Sequence, residues 1–233
     1  MPQIHLENVS KFYDRWGKRQ LMPAVSDVNL TIKQGEFVFV IGSSGAGKST
    51  LLKLMSGELS PTYGTVSINR LKITRMSRKS KWLRRYVGYV PQTSRLIRKK
   101  TIGENLMEAA VPKLTGPPVL ELVRKSLRIV GLSGAESLYP VQLSRVDCRW
   151  AELACALINN PPILVLDELT ANIDKDPLWD MAHLLEEFNQ LGSTIVLATH
   201  DRDFVNILHK RVVTLVDGRV RADVPQGRYG DIP

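Results

Sequence analysis

The sequence is short of cysteine, has no long apolar run, and over one whole stretch carries no acid. Only Cys148 and Cys155 are present, seven positions apart. A zinc site needs further ligands nearby, and that spacing along a regular helix is too long for a disulfide. Both are therefore expected as reduced, partly buried thiols, the usual state in a cytosolic protein. No run of about 18 apolar residues occurs, and the start, MPQIHLENVS, lacks the basic and apolar regions of a secretory signal, so neither a membrane span nor export is expected. Internal repeats, low-complexity tracts and long coiled-coil heptads are also missing. Between Arg70 and Lys100 there are twelve Lys and Arg and no Asp or Glu. Without them the chain's net charge of +9 becomes −3, so the basicity is local, as expected of a patch that faces something anionic or of a solvated basic surface.

What is present suits one sizeable domain, or a core with a smaller inserted lobe: 233 residues, 43% of them hydrophobic. IHLENVSKFY, VSDVNLTIKQG and GTVSINRLKI alternate polar and apolar residues in short runs bounded by turn residues, which predicts antiparallel strands. EFVFVIG (36–42), ILVLDE (163–168), TIVLATH (194–200) and VVTLVDG (212–218) are instead continuously apolar, as in a mainly parallel sheet covered on both faces. Helical patterns come between, over 48–59, 150–160 and 176–192. The fold class is therefore α/β, a mainly parallel core sheet with an N-terminal antiparallel β region. Residues 101–157 read as an inserted helical lobe, broken by GPP at 116–118. The core is assigned to 1–100 and 158–220, and 221–233 is expected to be a loose tail.

Chemistry concentrates in a few strings. Gly42-Ser43-Ser44-Gly45-Ala46-Gly47-Lys48-Ser49-Thr50 follows an apolar strand and opens a helix, the setting of a phosphate-binding loop. Its glycines let successive backbone N–H groups line one concavity, where phosphate also meets a helix N-terminus. Lys48 can reach the β- and γ-phosphates of a nucleotide, and Ser49 can place its hydroxyl on Mg²⁺. ILVLDE ends in Asp167, suited to hold Mg²⁺, and Glu168, suited to orient and deprotonate a water. A strand-end histidine such as His200 is usually structural. In a parallel sheet, however, Gly42, Glu168 and His200 would emerge at the same carboxyl edge, where ligands bind.

In this order the motifs resemble the nucleotide-binding subunit of ATP-binding cassette (ABC) transporters, over about residues 3–220. They are the phosphate loop, VPQ as the glutamine loop, LS at 143–144 as the start of the signature, ILVLDE, NID at 172–174 as the D-loop, and ATHD as the switch histidine. Within that family SGAGKSTLLKL, LRRYVGYVPQ and LEEFNQLGSTIVLATHD look like the FtsE group, cell-division ATPases that partner the membrane protein FtsX. The lipoprotein-release and macrolide-export ATPases share the general style. The resemblance implies that Tyr13 stacks on adenine and that Lys48, Ser49 and Thr50 bind phosphate and Mg²⁺. Gln92 would link Mg²⁺ to the membrane partner, Glu168 would be the general base, and His200 would contact the γ-phosphate. Ser144 and Asp174 would act across the interface of a homodimer or cassette dimer that traps ATP.

The family pattern LSGGQ or LSGGE is here Leu143-Ser144-Arg145-Val146-Asp147, and Trp150, Cys155 and Leu169 replace two family arginines and a proline. Two consequences are expected. Valine in a backbone suited to glycine would be strained by about 1–2 kcal/mol and would add bulk. Arg145 would partly compensate by offering its guanidinium to the γ-phosphate. The leading expectation is a cytoplasmic ATPase, peripheral on the inner face of the plasma membrane, that drives or gates an FtsX-like partner and lies against anionic inner-leaflet lipids. The alternatives are a regulatory or scaffold subunit that hydrolyses little, or a lipoprotein-release or macrolide-export ATPase. No nucleic-acid partner is expected.

Overall fold

The computed structural model describes residues 2–15, 18–19, 22–73, 83, 85–110, 117–169 and 175–230. Two sheets share the chain. The antiparallel one has the order β4-β1-β6-β7, from strands β1 (Pro2–Lys11), β4 (Val25–Lys33), β6 (Tyr63–Ile68) and β7 (Leu71–Ile73). The second has the order β12-β11-β5-β10-β9-β8, from β5 (Phe37–Ile41), β8 (Val87–Val90), β9 (Ile163–Asp167), β10 (Thr194–Ala198), β11 (Arg211–Val216) and β12 (Arg219–Val224). Strands β8 to β11 and β5 run parallel, and β12 is antiparallel to β11. A small hairpin, β2 (Asp14–Arg15) with β3 (Lys18–Arg19), completes the β structure among the described residues.

The continuous apolar strings divide between the two faces because side chains alternate along a strand. In β5, Phe37, Phe39 and Ile41 enter one core and Val38 and Val40 the other. The first core packs under helices α2 (Ile102–Ala109), α3 (Pro117–Ile129), α4 (Arg145–Leu157), α5 (Lys175–Gln190) and α6 (Arg202–Leu208). The second lies between the sheets around α1 (Lys48–Met55). Arg211 ties the sheets together: it donates to Thr31 O and pairs with Glu36 and Asp223, and those partners hold its pKa above the ordinary value.

Helices α2 to α4 and two 3₁₀ turns, Ala135–Ser137 and Pro140–Gln142, lie between β8 and β9. α4 begins five residues before the sequence pattern indicates, because Ser144 caps it. Gly88 sets how closely α4 approaches β8. A Cβ there would lie 2.6 Å from Ala156 O.

The expected loose tail is corrected at its start. Residues 221–224 belong to β12, after a turn whose Asp217 and Gly218 have φ of 48° and 76°. Asp-Gly between two alternating runs is the hairpin signal that would have revealed it. Beyond it, Tyr229 N donates to Asn206 Oδ1, and its ring lies under the Arg202 guanidinium.

Candidate nucleotide site

Parallel register carries the ends of β5, β9 and β10 to one edge of the sheet. Gly42 and Gly47, at φ of 151° and 101°, begin and end the turn from β5 into α1. A Cβ on either would come within 2.4 Å and 2.3 Å of Leu215 O and Ala24 O, so neither position admits another residue without rearrangement. Ser43, Ser44 and Gly45 are exposed at the loop's crest and Ala46 is buried beneath them. Gly218, which the sequence reading did not single out, braces the loop by donating its N–H to Ala46 O.

Lys48 folds back under this crest. Its ammonium donates to Gly42 O at 2.9 Å and Ser43 O at 3.1 Å, and lies 2.9 Å from His200 Nε2 and 4.0 Å from Glu168 Oε1. Burial pushes its pKa down, and the Glu168 and Asp167 carboxylates pull it partly back. An ammonium donating to Nε2 requires that nitrogen's lone pair, which puts the neutral ring's proton on Nδ1. His200 Nε2 is also 3.2 Å from Glu168 Oε1, but with its lone pair engaged it cannot donate there, and Oε1 has no hydrogen-bond partner.

Ser49 Oγ donates to Asp167 Oδ1 at 3.1 Å, while Asp167 Oδ2 is buried with no partner. Burial raises the Asp167 pKa, against the lowering effects of the Ser49 bond, Lys53 and Lys48, and the Gln92 N–H directed at it. Burial likewise raises Glu168, against His200 and Lys48. Hard oxygen donors with one carboxylate oxygen unsatisfied suit Mg²⁺. Ser49 and Asp167, with Gln92 nearby, are the residues that fit it.

The remaining expected residues stand further out. The Tyr13 hydroxyl is 3.3 Å from Thr50 Oγ1, and Lys11 Nζ lies 5.9 Å from its ring centre. Gln92 follows β8 on an exposed loop. Ser144 caps α4: its Oγ accepts from Asp147 N at 3.0 Å and donates to Asp147 Oδ2 at 2.7 Å. Asp174 lies outside the described residues.

The strain expected at Val146 is not found. Neither Arg145 nor Val146 has positive φ, and both occupy the first turn of α4, which any L-residue accepts. What remains of the departure from glycine is bulk and charge. Trp150 and Cys155 pack against the main core and Leu169 is fully buried in it, so these replacements fill apolar space. Both cysteines are free, and burial pushes the Cys155 thiol up to about 12, which leaves it unreactive.

Comparison with known proteins agrees with this geometry. Residues 25–171 match the model of the ABC transporter family. The chain is 36% identical over 229 residues to the cell division ATP-binding protein FtsE of Bacillus subtilis, covering 97% of this chain and 98% of the relative. It is 37% identical over 230 residues to FtsE of Mycobacterium tuberculosis, with the same coverage. Among solved structures it superposes on the ATP-binding cassette MJ0796, a dimer bound to ADP and Pi, with a TM-score of 0.87 at 31% identity, over 96% of this chain and 99% of that one. A phosphate loop, a carboxylate pair and a strand-end histidine on one sheet edge, in a chain with these relatives, make it a member of the ABC transporter family, an FtsE-like ATPase cassette.

Proposed function

We propose that the chain binds ATP with Mg²⁺ at this edge and hydrolyses it to drive or gate an FtsX-like transmembrane partner in cell division and cell-wall remodelling. The observation that carries this reading is the convergence of Lys48, Ser49, Asp167, Glu168 and His200, from three separate strand ends, around two carboxylate oxygens, Asp167 Oδ2 and Glu168 Oε1, that have no hydrogen-bond partner. Lys48 releases the loop carbonyls and takes up the β- and γ-phosphates. Tyr13 offers its ring to adenine, and the loop amides of residues 42–50 cradle the phosphates. Ser49, Asp167 and Gln92 would hold Mg²⁺, which would supply charge neutralisation to the phosphates. Glu168 accepts the proton of the attacking water, and His200 orients the γ-phosphate.

Ser144 and Asp174 are assigned to the site of a second cassette, an arrangement supported by the dimeric structural relatives. The names of the FtsE relatives support the division role, and the inner face of the plasma membrane is the location proposed for it. No helix among the described residues is long and apolar enough to cross a membrane. The basic stretch is assigned to anionic lipid, each Lys or Arg near the surface adding about 1 kcal/mol. Within it Arg95 and Lys100 are already paired with Glu58 and Glu108, while residues 74–82 and 84 lie outside the described set.

One observation favours a second reading, a regulatory subunit with little turnover: the Ser144 hydroxyl is committed to Asp147 of its own helix. Two measurements test these readings. Lys48→Ala should abolish binding of a fluorescent ATP analogue, and undiminished binding discards the site. ATPase turnover with and without the membrane partner separates a working motor from a regulator.

A further inference from the structure

Arg149 of α4 does not extend into solvent. Its Nη2 donates to Gln92 O at 2.8 Å, and its Nη1 to Pro91 O at 3.4 Å and to Glu152 Oε2 at 2.8 Å. The two charged side chains are only 15% and 5% exposed. One planar fork thus joins the helical lobe to the start of the loop that carries Gln92. On that loop the Gln92 N–H is directed at the Asp167 carboxylate. The loop is therefore held from the side of the helical lobe, by the guanidinium through its carbonyls.

Helix stability does not account for this pair. Glu152 keeps its second oxygen, Oε1, buried and without a partner, beside a cavity of about 260 Å³ that Tyr89 and Cys155 also line. Burying a half-satisfied carboxylate is unfavourable, and an alanine on that face would avoid the penalty. The carboxylate is explained by the guanidinium it orients, and the guanidinium by the loop it grips. Trp150 and Cys155 nearby are packed into apolar core and supply no charge.

We propose that Arg149, anchored by Glu152, is a positioning residue for the nucleotide site, setting where Gln92 stands relative to Asp167 and so how well Mg²⁺ is held. This rests on the reading that Gln92, Ser49 and Asp167 bind that ion. Arg149 touches neither nucleotide nor metal and acts through the loop.

Removing one member of the pair leaves a buried charge, so the test uses the double variant Arg149→Gln with Glu152→Ala, alongside Arg149→Lys. Thermal melting establishes folding. The readouts are the Mg²⁺ concentration for half-maximal binding of a fluorescent ATP analogue, and amide exchange across residues 92–97. The double variant should bind the analogue without Mg²⁺ as the parent does, need about tenfold more Mg²⁺, and exchange its loop amides faster. Arg149→Lys should recover part of the loss, since an ammonium lacks the fork that spans two carbonyls. A folded double variant with the parent's Mg²⁺ requirement overturns the proposal. So does one whose Mg²⁺-free binding weakens equally, because that is a general loss of the site. If the double variant does not fold, Arg149→Lys decides, and an unchanged Mg²⁺ requirement overturns the role. A parent whose binding ignores Mg²⁺ sinks the metal-site reading itself, an outcome visible without any variant.

Discussion

Glu168 sits at φ 54°, a left-handed conformation that costs a non-glycine residue about 1 kcal/mol or more, with its N–H donating to Ala198 O. The bend turns its carboxylate off β9 toward Lys48 and His200 instead of continuing the strand. Burial raises both Asp167 and Glu168, so the nucleotide-free site is a net electrostatic burden at neutral pH. The sign follows from proton counting. Between the ordinary carboxylate value, about 4, and the raised folded value, the folded state holds more protons than the unfolded one. Stability is therefore greatest below this window and falls as pH rises through it. Asp167→Asn, which still accepts from Ser49, should raise the melting temperature of the nucleotide-free protein by about 2–4 °C at pH 7.5, shrinking toward pH 4.5, and should lose the further stabilisation by MgATP. A variant less stable than the parent at pH 7.5 would show that another interaction of Asp167 outweighs its burial. The raised Glu168 also displaces the acid limb of turnover above the ordinary glutamate range, and a pH–rate profile measures this. A limb at the ordinary value would remove Glu168 from the general-base role.

At the scale of the element, α4 carries four departures, Arg145 and Val146 in its first turn and Trp150 and Cys155 packed against the core. Arg145 and Val146 are helical, so restoring glycine there relieves no backbone strain and instead loosens the first turn by about 0.5–1 kcal/mol per residue. Arg145→Gly with Val146→Gly should therefore lower the melting temperature of the monomer by a few degrees. If ATP-dependent dimerisation nevertheless strengthens, removal of bulk is the cause. If turnover instead falls, Arg145 has been supplying charge to the opposite nucleotide. Dimer mass and ATPase rate on this one variant separate the two, and a melting temperature above the parent's would reinstate strain.

For the whole molecule the question is whether two cassettes close on ATP. The cis half has its lysine, serine, carboxylates and histidine in one cluster, whereas the Ser144 hydroxyl is turned to its own helix and flanked by an exposed arginine. If Ser144 serves the opposite ATP as proposed, closure has to break the Ser144–Asp147 contact and accommodate Arg145 and Val146 at each composite site, twice in a homodimer. The expected outcome is a protein that binds ATP yet remains largely monomeric by light scattering, even with Glu168→Gln. Ordinary transporter-level turnover by the isolated chain would rule out this impairment.

Local order along the chain was enough to read the phosphate loop, the carboxylate pair and the strand-end histidine, because each is a string whose turn chemistry or apolar run lies within a few residues. The two-faced parallel sheet was legible for the same reason, since continuous apolar runs such as FVFVI have no stable place but between two cores. β12 was missed because an edge strand is half polar, although its Asp-Gly turn was in plain view. Contacts across long separations were decided only by tertiary structure. Ser49 meets Asp167, 118 positions away, and Arg149 meets Gln92, 57 away, through the register of parallel strands and the docking of α4. The backbone at Arg145 and Val146 was settled in the same way. Two missing glycines suggested strain, but a serine cap and a packed helix give both residues an ordinary conformation, because φ is chosen by the helix they start and not by the residue that might have stood there.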